Sequence, residues 1–87
     1  MKLHIIEDCL LAKEDDKKFF LFKEGKWEPD TENVVWNYFM GFDPSEDLDS
    51  PYAFDNLSIM NSIIEISEEK ARKFAPDAFY NISSNGI

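Results

Sequence analysis

The chain is poor in the residues that most small-protein chemistries need: among its 87 residues it has one cysteine, one histidine, one arginine and three glycines. Cys9 has no second thiol to pair with, so no internal disulfide forms, which fits a reducing compartment. One Cys and one His fall short of the four soft ligands of a structural zinc site within a monomer. Gly25, Gly41 and Gly86 are isolated from one another, so no glycine-rich loop cradles a phosphate. Arg72 is the only guanidinium, and Lys and Arg are not clustered, which disfavours nucleic acid as a partner. Long apolar runs are missing as well. Cys9–Ala12 and Phe19–Phe22 are of strand length, far from the roughly 20 residues that cross a bilayer. Glu7 and Asp8 interrupt any apolar segment after Met1, so the start does not read as an export signal and the protein is expected in the cytoplasm.

Catalytic pairings are equally scarce. His4 and Cys9 are five positions apart on what reads as one strand, which places them on opposite faces. No nucleophile, base and orienting group recur at a recognisable spacing, so the chain is expected to be non-enzymatic and to use no cofactor. His4 reads as a surface or edge-strand residue and Cys9 as a small core residue.

What the sequence does hold is apolar mass and acid. Hydrophobic residues make up 44% and aromatics 15%, enough for a packed core in one domain over residues 1–80, with 81–87 reading as a flexible tail. The net charge of -9 is unevenly placed. Residues 1–26 and 67–87 are each charge-balanced, whereas 27–66 carry nine acids and no Lys or Arg. A one-sign segment of this kind steers encounter with an oppositely charged partner.

Periodicity predicts an α+β fold. Residues 3–12 alternate as a strand with two mixed faces, Leu3, Ile5 and Leu11 on one and His4, Ile6, Leu10 and Ala12 on the other. The charged run Lys13–Asp16 reads as a turn, 17–23 as a second strand, Glu24-Gly25 as a turn, and 26–28 as a third strand ended by Pro29. The expected product is an N-terminal antiparallel meander. Val35, Tyr38, Phe39 and Phe42 then follow at helical spacing, with Asp30 or Thr31 as cap and Gly41 as terminator, predicting a helix over 31–40. Residues 43–56 form a long acidic connection, 57–61 a short helical turn, and 62–66 a further strand rich in β-branched side chains. Ser67 caps a helix over 68–75 that Pro76 stops.

The candidate contact residues lie in the acidic segment: Trp36, Asp43, Glu46, Asp47, Asp49, Tyr52 and Phe54. Aromatics rimmed by carboxylates, with no Lys or Arg near them in sequence, suit a basic protein as partner. The expectation is therefore a non-catalytic acidic binding module of inhibitor, immunity or adaptor type, presenting the 27–66 face. One alternative is a structural subunit that self-associates, as a homodimer for example, through its aromatics or an open strand edge. Another is cation binding by Asp43, Glu46, Asp47 and Asp49 with Asp55, although the glycine and glutamate positions of an EF-hand loop are not met.

Overall fold

A computed structural model describes residues 1–79 of the chain. A five-stranded antiparallel sheet forms its middle layer, in the order β4-β3-β2-β1-β5. The elements are β1 (Lys2–Ile6), β2 (Leu10–Asp15), β3 (Lys18–Lys23), β4 (Lys26–Pro29), α1 (Val34–Phe39), α2 (Leu57–Met60), β5 (Ile63–Ile66) and α3 (Glu68–Phe74). The α+β class holds. The expected tail, residues 81–87, lies outside the described residues.

The meander has four strands where the sequence predicts three, because residues 3–12 are two strands and not one. Glu7 and Asp8 adopt left-handed φ values of 50° and 58°, and the Cys9 N–H donates to the Ile6 carbonyl at 3.0 Å, closing a tight hairpin. The connection is three residues long, so Ile6 pairs with Leu10 and Ile5 with Leu11. An odd-length connection preserves parity, and so the alternation continues through the hairpin as though the strand were unbroken. The two faces read from the sequence therefore survive although the strand does not. Lys13 to Asp15 extend β2, and the next turn falls on Asp16 and Lys17 at φ 53° and 65°. Glu24 and Gly25 complete the series at φ 51° and 82°. All three hairpins use left-handed residue pairs, the geometry that matches strand twist.

Both sheet faces are covered, one by each helical layer. Leu3, Ile5 and Leu11 pack with Ala71, Ala78 and Phe79 beneath α3 and the helical turn over residues 76–79. Ile6, Ala12 and Leu21 pack with Val35 beneath α1, joined at the margins by Phe19, Tyr38, Phe39 and Ile63. Each fully buried aliphatic side chain contributes about 1.5–3 kcal/mol.

Helix α1 is shorter than the predicted 31–40. Its first amides, Val34 N–H and Val35 N–H, donate to the two Asp30 carboxylate oxygens at 2.9 Å each, while Asn33 takes a left-handed φ of 57°. Its end is a Schellman motif: Phe42 N–H donates to Asn37 O at 2.9 Å, Gly41 N–H donates to Tyr38 O at 3.1 Å, and Gly41 sits at φ +65°. The Ser67 hydroxyl accepts from Lys70 N–H at the start of α3, as its sequence predicts.

Because β4 and β5 are the two opposite sheet edges, residues 30–62 between them form a strap. It leaves one edge, crosses a single face through α1, the connection and α2, and rejoins at the other edge.

Candidate functional site

The 43–56 connection is an Ω-shaped loop tied at its root. Asp43 N–H donates to Ala53 O at 2.8 Å, Asp55 N–H to Met40 O at 2.8 Å, and Asn56 N–H to Gly41 O at 3.1 Å. Ala53 is wholly buried, and the Phe42 and Phe54 rings meet at 5.4 Å across the root. Asp43-Pro44-Ser45-Glu46, at the start of this connection, forms a turn. One Asp43 oxygen accepts from Ser45 N–H at 2.9 Å and from the Ser45 hydroxyl at 2.6 Å, and these bonds hold its carboxyl below the usual range.

Beyond the root the loop faces solvent. Asp47, Asp49, Tyr52, Phe54 and Asp55 are exposed, Asp43 and Glu46 partly so. Tyr52 is 73% exposed and Phe54 41%. Leu48, which sequence reasoning passed over, is 71% exposed between Asp47 and Asp49. An apolar residue between two acids in a turn-rich segment is the signal that would have found it. Among the described residues the only ion pairs are Arg72–Glu68 and Lys73–Glu69, both within α3, so no acid of the loop is neutralised by a cation. Nor do three Asp, Glu, His or Cys groups converge on a cation-sized centre among those residues.

Trp36 has other surroundings. It is half-exposed on α1, with ring contacts to Phe19 at 5.7 Å and Phe39 at 5.9 Å. Lys17 of the β2–β3 turn and Lys18 at the start of β3 border the same groove. Trp27 likewise carries Lys13 Nζ 4.4 Å above its ring and donates its indole N–H to Ala78 O at 3.3 Å. For Trp36, the lack of cations along the sequence is thus not a lack in space. Of the aromatics singled out as contacts, Tyr52 and Phe54 belong to the acidic loop itself.

Between the loop root and α1 lies an open cleft of about 370 Å³ bordered by Glu7, Tyr38, Phe42, Pro44 and Ile59. The Tyr38 hydroxyl donates to Glu7 Oε2 at 2.5 Å, fastening the β1–β2 turn to α1. Burial, then the bond to Glu7 and its charge, push the phenol from 10.0 up to about 12. A raised folded-state pKa means stability that is complete below pH 10 and is lost as pH rises toward 12. Tyr38→Phe should cost about 1 kcal/mol at neutral pH and flatten that alkaline loss. Urea unfolding at neutral and at alkaline pH checks both, and an unchanged alkaline slope would contradict the assignment.

The two residues that looked most reactive exchange their expected places. His4 is 5% exposed on β1, a strand flanked on both sides, and not on an edge. Its ring meets Phe39 edge-on at 5.3 Å, and its Nε2 has no partner among the described residues. Cys9, expected in the core, is exposed in the β1–β2 turn. The hairpin causes both changes, since it moves residues 7–9 out of the sheet and leaves His4 with a strand on each side.

Burial lowers the His4 pKa from 6.5, outweighing Glu65 and Glu14, which raise it; Lys2 acts with burial. The unfolded chain then takes up the proton first, so stability falls as pH drops below 6.5. In His4→Leu that component is absent. The stability of the variant relative to the parent should rise steadily as pH is lowered from neutral through 6.5. A difference that stays constant with pH in chemical denaturation would count against a buried neutral imidazole.

No described helix is long and apolar enough to cross a membrane. No family model matches the chain, and no curated protein or solved structure matches it either.

Proposed function

We propose that the protein is a non-catalytic binding module of inhibitor, immunity or adaptor type. It acts in the cytoplasm and presents its acidic 27–66 segment to a basic partner protein, with the 43–55 loop as the principal contact. The observation that carries this reading is the loop itself. Five acids, none with a cationic partner among the described residues, share with exposed Leu48, Tyr52 and Phe54 a segment whose root is fixed by backbone hydrogen bonds.

Each part has a physical role. The root bonds and the Phe42–Phe54 contact limit the entropy lost when the loop is bound. The unpaired carboxylates supply steering and selection against acidic or nucleic-acid partners. Exposed Leu48 and Tyr52, rimmed by Asp47 and Asp49, supply desolvated contact area of the kind that carries binding energy. Trp36, beside Lys17 and Lys18, stands at the flank of this surface and not at its centre.

The test is affinity capture from the native cell extract at low ionic strength, with the protein and its Asp47→Lys variant as bait. A basic partner retained by the first and depleted on the second supports the proposal. Equal retention by both removes the loop from the interface.

A further inference from the structure

We infer that β5 is a self-pairing edge, through which two copies of the chain join their sheets antiparallel about a two-fold axis at Ile64. This surface is separate from the acidic loop and does not rest on the binding proposed above.

The backbone shows which groups are open. Glu7 N–H donates to Ser62 O at 2.7 Å, so residue 62 directs its backbone toward the β1 side. In an antiparallel pair this direction alternates, which assigns Ile64 and Ile66 to β1, their partners being Ile5 and Leu3. Ile63 and Glu65 then direct N–H and C=O outward, and no described residue bonds to those groups. The strand IIEI carries one charge and no proline, and Ile64 is 53% exposed.

The opposite edge is built differently. Strand β4 begins at Lys26 and ends at Pro29, which has no N–H to offer. Lysine and proline are the usual guards of an exposed edge. Only β5 lacks them.

The occupant follows from register. A two-fold axis perpendicular to the sheet keeps each face continuous, so paired residues must share a face and their numbers must have the same parity. Centring the axis on Glu65 would set two carboxylates directly opposite each other, which is destabilising. Centring it on Ile64 pairs Ile63 with Glu65 of the second copy and Glu65 with its Ile63. Those are the residues with outward backbone groups, so each pair exchanges both hydrogen bonds. The two Ile64 side chains meet in the intervening non-hydrogen-bonded position, where side chains approach most closely. One register thus satisfies the open backbone groups, buries the exposed isoleucine and separates the carboxylates.

The strand is short, so the dimer is weak. Each copy carries a net charge of -9, so added salt strengthens self-association. Binding of the acidic loop to a basic protein has the opposite salt dependence, so the two proposals fail separately.

Sedimentation equilibrium of the full chain up to about 1 mM, at low and high salt, tests the inference. The expected result is a reversible dimer favoured by salt and weakened at least about tenfold by Ile64→Lys, which sets like charges opposite each other. Ile64→Cys in a Cys9→Ser background is a second reading. It should form an intermolecular disulfide on mild oxidation, while Leu57→Cys in the same background, exposed but off the axis, should not. A strict monomer at the highest concentration and salt would overturn the inference. So would a dimer that Ile64→Lys leaves unchanged, or equal cross-linking at positions 57 and 64.

Discussion

Gly41→Ala should destabilise the fold by about 3 kcal/mol, well beyond what losing a glycine usually costs. Two effects add at this position. The φ of +65° lies in the left-handed region, which costs an L-residue roughly 1–2 kcal/mol. An added methyl would also stand 2.6 Å from Asn56 N, 2.9 Å from Asn56 O and 2.8 Å from Met60 Cγ. The methionine can move, but the Asn56 backbone cannot do so without breaking its bond to Gly41 O, one of the three that tie the loop root. Gly25 provides the comparison. Its φ is +82°, yet a methyl there meets nothing within 4 Å, so Gly25→Ala should cost only about 1 kcal/mol. Urea denaturation of both variants separates backbone conformation from crowding. Equal losses would mean that the approach of Asn56 to Gly41 is not a constraint on the fold.

The second large effect is expected on binding and not on stability. Asp47→Lys combined with Asp49→Lys should weaken capture of the basic partner by roughly 10–100-fold. The unfolding free energy should stay within about 0.5 kcal/mol of the parent, because both side chains are exposed and neither pairs with a cation among the described residues. The salt dependence of the remaining affinity should flatten as well, since fewer opposite charges are brought together. The charge-matched α3 substitution is Glu68→Lys combined with Glu69→Lys: the two side chains are 57% and 82% exposed, and α3 lies on the other face of the sheet. Titration of the captured partner with each variant decides the matter. If the α3 substitution weakens binding as much as the loop pair does, net charge and not the loop governs the interaction.

How much of this was legible from residues alone depends on what each signal measures. The α+β class, the alternating faces of residues 3–12, α2, β5 and the Ser67 cap all follow from local periodicity and capping chemistry. The first hairpin did not, because its three-residue connection leaves the alternation intact and its turn residues, Glu7 and Asp8, are not the Asn-Gly type that usually marks one. That single turn also misplaced His4 and Cys9. Helix α1 and Asp30 as its cap were visible from spacing and capping chemistry; its start at Val34 was not, because the Asp30 carboxylate reaches amides four and five residues on, past a left-handed Asn33.

The candidate site was legible in part. Most acids of the 27–66 segment lie in the stretch that links the two sheet edges through α1 and α2, whereas Trp27 and Ile66 at its ends pack on the opposite face. Clustering of aromatics along the chain does not predict what surrounds them. Lys13 comes from β2, and Lys17 and Lys18 from the turn after it and the start of β3, yet they reach Trp27 and the Trp36 groove because the sheet brings distant segments together. The contact surface we propose is accordingly narrower than the whole segment: it is the 43–55 loop, to which exposed Leu48 is added.

The most direct test is the low-salt capture carried through a salt series, with the parent protein and the Asp47→Lys, Asp49→Lys variant side by side. The expected result is a basic protein retained by the parent at low ionic strength, released steeply as salt rises toward about 0.5 M, and strongly depleted on the variant at low salt. Retention that is indifferent to salt, or identical on the parent and the loop variant, would contradict a function carried by the acidic loop.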